Sequence, residues 1–178
     1  LYYEKDLVNV GKVGRRWFGE QFNITNEQTF DFSIPNLDTS SPVNIYVNSA
    51  SKSFGNSSFN FKVNSQDLGT VNFPALVAFS GVEGYESALN VSTSLSSSAF
   101  AIKLTYDNGG VPSSNGYLDF IKISSKRNLI GYGKQFSFFN NDEQNNVGIG
   151  QYNITSATAV SQIWDVTDLA NIVKYENN

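Results

Sequence analysis

Apolar and polar residues alternate with a period of two through several stretches of this chain. Phe30, Phe32 and Ile34 are separated by Asp31 and Ser33. Val43, Ile45 and Val47 repeat the pattern, as do Phe59, Phe61 and Val63. Phe100, Ile102, Leu104 and Tyr106 form a fourth run. Successive side chains of a strand point to opposite faces, so this pattern predicts half-buried antiparallel strands. Tyr117 to Ile123 is apolar on both parities and predicts a central strand covered on both faces. Further strands are expected from Phe136, Phe138 and Phe139, over Val147 to Ile154, and over Ala159 to Val166, the last two joined by a turn near Ser156.

Turn residues separate these runs. They fall at Asn36 to Pro42, Gly55 to Ser57, Asn64 to Asp67, Asp107 to Asn115 and Asn140 to Asn146. Short strands at regular spacing with Gly, Asn, Asp and Ser between them indicate an all-β protein, an antiparallel β-sandwich of jelly-roll-like form. Helical signal is thin, with one turn each expected over Asp165 to Val173 and Glu83 to Leu89. The Ser-rich tract Ser92 to Ser98 reads as a strand edge and loop. No repeat and no internal boundary is visible, so residues 1–178 are read as one sandwich domain, a fragment of a larger secreted protein.

The composition narrows the chemistry. There is no cysteine and no histidine, which removes Ser-His, Cys-His and His-metal mechanisms together and leaves no disulfide framework. A chain of 178 residues buries roughly 70% of its unfolded surface, enough to fold without a staple. Aromatic residues make up 14% and charged residues only 16%, a mix that suits strands better than helices. The net charge is −4, and no clustered basic footprint points to nucleic acid. No apolar run is long enough for a membrane span.

The densest chemistry lies between Gly11 and Phe22, where Arg15, Arg16 and Glu20 surround Trp17 and Phe18. Arg stacks on indole faces and forks onto carboxylates. One reading is a stacking platform for a sugar or a partner chain. The other, which we favour, is a strand entering the core, with Trp17 buried and Arg15 or Arg16 paired to Glu20. On that reading Trp17→Ala costs about 3 to 5 kcal/mol.

Paired carboxylates are the remaining catalytic route, at Asp142/Glu143, Glu83/Glu86 and Asp165/Asp168. Glycoside hydrolysis needs two carboxyls facing each other across a cleft, and neighbours in sequence rarely do so. Asp107 and Asp142 are weak calcium candidates, since hard cations prefer oxygen ligands from loops. Such loops usually just make Asx turns. No cofactor is expected.

Three segments together resemble a family. They are Gly14-Arg-Arg-Trp-Phe-Gly-Glu20, Asn115-Gly-Tyr-Leu-Asp-Phe-Ile-Lys-Ile123 with Arg127-Asn-Leu129, and Gln162-Ile-Trp-Asp-Val-Thr-Asp168. Their order and spacing are similar to the region ahead of the peptidase domain in PorU-type sortases, gingipain-like cysteine peptidases of the type IX secretion system in Bacteroidetes. The resemblance spans nearly the whole chain. It implies a non-catalytic accessory domain, because the family's His-Cys dyad is missing from this chain. It implies a location at the outer membrane, cell surface or periplasm of a Gram-negative bacterium. The implied partners are the parent's peptidase domain, secreted cargo or an outer-membrane protein. Trp164, Asp165 and Asp168 would lie near the exit toward the catalytic domain, with Trp164 anchoring the last strand and Asp168 capping a turn. The alternatives are a carbohydrate-binding module or a surface adhesion module. Burial of both tryptophans in strands would count against the first.

Overall fold

In the computed structural model, residues 1–11, 16–142, 147–158 and 160–176 are described. The contacts divide the chain into two compact units, Leu1–Arg127 and Asn128–Asn178.

The first unit is an antiparallel sandwich of two sheets. Its strands are β1 (Tyr2–Glu4), β2 (Gln21–Phe22), β3 (Glu27–Ser33), β4 (Val43–Lys52), β5 (Ser57–Val63), β6 (Gln66–Phe73), β7 (Tyr85–Thr93), β8 (Ala99–Asp107) and β9 (Asn115–Ser124). One sheet runs β1-β9-β4-β7, with β2 beside β1 on the same edge of β9; the other runs β3-β8-β5-β6. The chain crosses repeatedly between the sheets, as in a jelly roll.

The predicted alternation is the core. Val43, Ile45 and Val47 of β4 and Leu118, Ile121 and Ile123 of β9 face Phe59, Phe61 and Val63 of β5 and Ile102, Leu104 and Tyr106 of β8, all buried. Phe59 sits at the centre, with Phe22 and Tyr106 each 4.9 Å away between ring centroids. These are offset and edge-to-face arrangements, which aromatic quadrupoles favour. Gly116 of β9 lies beneath them, where a Cβ would come within 2.6 Å of the Phe59 and Tyr106 rings. Within the core, the Ser51 hydroxyl bonds those of Ser57 and Tyr106 at 2.7 Å, and Tyr106 reaches Ser114 at 2.5 Å. Each buried hydroxyl thereby has a partner, which removes the cost of desolvating it.

β9 is interior, as its two-sided apolar pattern predicts. Its core face meets the opposite sheet. Its outer face is covered by Phe18 against Tyr117, and by Tyr2 and Tyr46 against Phe120. Between β4 and β9 the register shifts: Asn48 pairs with Phe120 and Ser49 with Leu118. Asp119 is the extra residue of this β-bulge, a device that re-aims one side chain.

Several expectations are corrected. Residues 83–89 form no helical turn, since Tyr85 to Leu89 belong to β7; their alternation with the β4 register outweighs the weak helical pattern. The sandwich ends with β9, so it does not fill residues 1–178. In the second unit, neither the Phe136–Phe139 run nor Val147–Ile154 is a strand. Instead Tyr132, Phe136, Phe138 and Tyr152 pack ring to ring in series. The segment predicted over 159–166 narrows to β10 (Gln162–Asp165), which pairs with β11 (Val173–Glu176). Residues 165–173 hold turns rather than a helix.

Candidate functional site

Residues 5–11 and 16–20 lie over the outer face of the five-stranded sheet. Phe18 donates its amide to Val8 O at 2.8 Å and accepts from the amides of Leu7 and Val8. Gly19 then bonds Leu118 O at 2.7 Å, and Leu118 N bonds Glu20 O at 2.9 Å. A Cβ at Gly19 would sit 3.2 and 3.3 Å from two carbonyl oxygens, so the close approach needs glycine. Beneath this segment Phe18, Ala50 and Tyr117 form a small second core, flanked by Val8 and Val10.

Arg16 pins the segment to the sheet. Its Nη2 donates to Asp119 Oδ2 at 2.7 Å and to Glu86 Oε2 at 2.8 Å, and its Nε donates to Glu86 Oε1 at 3.1 Å. The Glu86 contact is the two-pronged fork that guanidinium geometry allows. Asn48 Nδ2 adds a bond to Asp119 Oδ2 at 2.8 Å. Asp119 is 1% exposed. Burial pushes its carboxyl above the ordinary value, against the pull of Asn48 and Arg16. The guanidinium is correspondingly held charged, chiefly by Glu86.

Two of the three family-like segments therefore meet here. Arg16 of the first joins Asp119 of the second, and Phe18 packs on Tyr117 with centroids 5.9 Å apart. The third segment lies in the second unit.

Of the sequence-predicted residues, Arg15 lies outside the described residues. Arg16 pairs with Asp119 and Glu86, and Glu20 instead accepts from Tyr3 and Lys5. The expected Arg16–Glu20 pair is corrected for a simple reason: Glu20 follows the Gly19 crossing and faces β1, while Arg16 faces β7; the Arg15–Glu20 alternative lies outside the described residues. Burial raises the Glu20 carboxyl, but Tyr3 and Lys5 outweigh it and hold it below its ordinary value. Trp17 is 45% exposed, so the buried-tryptophan expectation fails. In its place Phe18, the next residue, points into the second core. Trp164 is also exposed. It precedes the last strand and bonds Gln162 through its indole N–H at 3.2 Å, so it anchors nothing by burial.

Among the described residues the Glu83/Glu86 and Asp165/Asp168 carboxylates are each engaged by other partners. Glu83 is bound by Lys52 and Glu86 by Arg16. Asp165 and Asp168 each accept local amides in separate turns, from Thr167 and from Ala170, and Asp168 also holds the Asn171 amide side chain. Asp168 does cap a turn. Asp107 and Asn108 make successive Asx turns onto Gly109 and Gly110. Asp142 donates its amide to Asn140 Oδ1, and Glu143 lies outside the described residues. Among the described residues no three acidic groups gather in a way that could hold a metal ion. A cavity of about 180 Å³ beside the Arg16 cluster is lined by Val10, Phe18, Ala50, Glu83, Glu86 and Tyr117, below the size that encloses a drug-sized ligand.

Sequence reasoning missed Asp119 and Asn48, and it paired Glu86 with Glu83 rather than with Arg16. A single acid inside a strand apolar on both parities was the available signal, because a buried carboxylate requires a partner.

No protein-family model matches the chain, and no curated protein matches it. Solved structures do. A chain of dimeric latent PorU from Porphyromonas gingivalis superposes with a TM-score of 0.64 at 19% identity, over 75% of this chain and 13% of that one. A carbohydrate-binding module, CBM36, in complex with calcium and xylotriose gives a TM-score of 0.45 at 16% identity, over 70% of this chain and 99% of that one. The CBM36-1 domain of a multidomain xylanase from the hindgut metagenome of Trinervitermes trinervoides gives 0.46 at 13%, over 70% and 86%. This chain thus spans about one eighth of the PorU chain it resembles, and the likeness is one of fold: a β-sandwich that recurs within a larger protein.

Proposed function

We propose that this chain is a non-catalytic accessory β-sandwich of a PorU-like sortase of the type IX secretion system. In this role it supports a gingipain-like peptidase domain and contributes to binding secreted cargo or an outer-membrane partner. Its place would be the outer membrane, cell surface or periplasm of a Gram-negative bacterium. The carrying observation is the superposition on a domain-sized part of PorU. The Arg16–Asp119 pair supports it by giving the first two family-like segments a shared purpose, fixing the N-terminal segment across β9. The chain itself has neither His nor Cys, so peptidase chemistry would belong to another domain of the parent. The test is twofold. The coding sequence around this segment is read, and a peptidase domain with a His-Cys dyad is expected in the same frame. The purified chain is then incubated with a peptide carrying a C-terminal sorting signal, and no cleavage is expected. Cleavage by this chain unaided, or a frame with no peptidase, overturns the proposal.

The exposure of Trp17 favours a second reading, a carbohydrate-binding module. Exposed indoles stack on apolar ring faces, and the objection that both tryptophans are buried is gone. Titration with a panel of soluble polysaccharides, read by tryptophan fluorescence in the chain and in Trp17→Phe, decides it. A saturable change lost in the variant supports this reading, and a flat response removes it.

A further inference from the structure

The two ends of the sandwich differ in kind. The register pairs Phe22 with Gly116, Ser51 with Tyr85, Ser57 with Phe73 and Ser58 with Asp107, which gathers four loops at one end: 23–26, 53–56, 74–84 and 108–114. They are laced together at their bases. Leu76 donates its amide to Ser53 O at 2.7 Å, Ala75 donates to Asn56 Oδ1 at 3.1 Å, and Tyr106 donates to Asn26 O at 2.7 Å. Residues 23–26, 53–56, 74–82 and 108–114 include no charged side chain. Yet they hold Ile24, Phe54, Val77, Phe79 and Val82 in water, Ile24 and Phe79 fully so. Loops 34–42, 64–65 and 94–98 at the opposite end expose no large hydrophobic side chain; there Ile34, Leu37 and Leu95 turn inward.

Phe79 is also strained. The Ser80 amide bonds Val77 O at 3.2 Å and closes a turn whose third residue is Phe79, with φ at 62°. Glycine or asparagine is the usual residue there. A bulky side chain at positive φ is an outlier, and such strain concentrates at functional positions. The loop thus splits its apolar residues: Leu76 is buried at the base, while the turn holds the Phe79 ring outward.

We infer that this end of the sandwich is a lipid-contacting tip, which dips Ile24, Phe54, Val77 and Phe79 into the interfacial layer of a bilayer. Side chains exposed to this degree project from the surface and line no groove, and a fluid apolar phase receives them without a matching shape. Insertion is shallow, about 5–10 Å, because the loop amides and carbonyls must stay at headgroup level to keep hydrogen-bond partners. The charges behind the tip select the surface. Lys52 and Lys103 are paired with Glu83 and Glu27, and Asp107 adds a negative charge. Attraction to anionic lipid needs clustered basic residues, so this collar suits zwitterionic headgroups. The inference needs only the sandwich and is independent of the sortase reading.

The test is flotation of the full chain with phosphatidylcholine vesicles from about 0.01 to about 10 mM lipid, a range around the affinity of a single myristoyl chain, about 10⁴ M⁻¹. Saturable binding is expected. It should be undiminished between about 0.1 and about 1 M salt, since salt screens charges and not apolar burial, and no tighter when the vesicles contain phosphatidylglycerol. Phe79→Asn removes the ring and suits the turn. It should weaken binding about tenfold while the thermal midpoint, read by circular dichroism, stays equal or rises. Ile24→Asn, in a separate loop, should also weaken binding. Absence of binding over this range overturns the proposal and points to an apolar pocket on a partner protein. Binding that high salt abolishes, that requires phosphatidylglycerol, or that both variants leave unchanged overturns it too. So does a lowered midpoint in Phe79→Asn, which would show that the ring packs within the chain.

Discussion

Removing Arg16 leaves Asp119 buried with its main counter-charge gone. Breaking a fully buried ion pair costs about 3–5 kcal/mol, because an uncompensated charge remains. Two features reduce that figure here. The Arg16 side chain is 53% exposed, so water screens its end of the pair, and Asn48 still donates to the same carboxylate oxygen. We therefore expect Arg16→Ala to destabilise the sandwich by about 1–3 kcal/mol at pH 7. The sign of the pH dependence follows from Asp119. Burial raises its folded pKa, so its contribution favours the folded state below its unfolded value and is lost as pH rises through the folded value. Taking away Arg16 raises the folded pKa further. The cost of Arg16→Ala should therefore be largest at pH 7 and shrink as pH falls toward about 4, as the folded-state carboxyl, raised above its ordinary value, becomes neutral with or without Arg16. Urea unfolding followed by far-UV circular dichroism at pH 7 and pH 4 measures it. Asp119→Asn keeps the shape without the charge, and in its presence Arg16→Ala should cost much less, the difference being the coupling between the two residues. A cost that is equal at both pH values, or additive with Asp119→Asn, would refute the account of Asp119 as a buried charge compensated by Arg16.

Trp17→Ala should cost less than about 1 kcal/mol in the same assay, since surface truncations away from caps and networks change little; a loss of several kcal/mol would mean that the indole is packed in solution. Gly116→Ala should destabilise by about 1–3 kcal/mol through overpacking, because its Cβ would lie 2.6 Å from the Phe59 and Tyr106 rings, and an unchanged denaturation midpoint would contradict that contact. The Glu20 carboxyl is held below its ordinary value by Tyr3 and Lys5 against the effect of burial, so its contribution is present above its unfolded pKa and lost as pH falls through the folded one. Glu20→Gln should therefore flatten the acid limb of a thermal-stability profile below pH about 4.3, and an unaltered limb would show that Tyr3 and Lys5 do not discriminate between the charged and neutral forms.

The fold was legible where burial is one-sided and strict. Val43/Ile45/Val47, Phe59/Phe61/Val63 and Phe100/Ile102/Leu104/Tyr106 alternate because one face of each strand meets the opposite sheet, and a slip of one residue would turn every one of them to water. The same logic failed in the second unit. Phe136 and Phe138 are spaced two apart as in β5, yet they pack ring to ring along an irregular chain while Phe139 faces water. A run of aromatics satisfies a strand template and an aromatic cluster equally well, and only a partner strand distinguishes them. Residues 83–89 show the converse. Their weak helical pattern has no partner helix, whereas β4 offers Tyr85 to Leu89 a full ladder.

The site was half legible. Gly14 to Glu20 stands out by composition and includes Arg16, but the partner of Arg16 lies 103 residues away. Assigning Arg16 to Glu20 assumed that the nearest acid in sequence is the nearest in space. That holds along a helix, where residues three or four apart are neighbours. It fails when the chain crosses an edge at a glycine between the two residues, as it does at Gly19. The stronger cue was Asp119 itself. A carboxylate embedded in Tyr117 to Ile123 cannot face either packed surface without a cation, and few cations exist in a chain with only 12 Lys and Arg. Asking which of those basic residues lies next to residues that must cover the outer face of β9 leads to Phe18, and from Phe18 to Arg16. The same reasoning explains the exposed indole: if Phe18 turns inward to cover Tyr117 and Arg16 reaches down to Asp119, Trp17 sits at the bend between them and is left facing water. The exposure of Trp17 is thus a consequence of how the segment is pinned, and the fluorescence titration decides whether a ligand uses it.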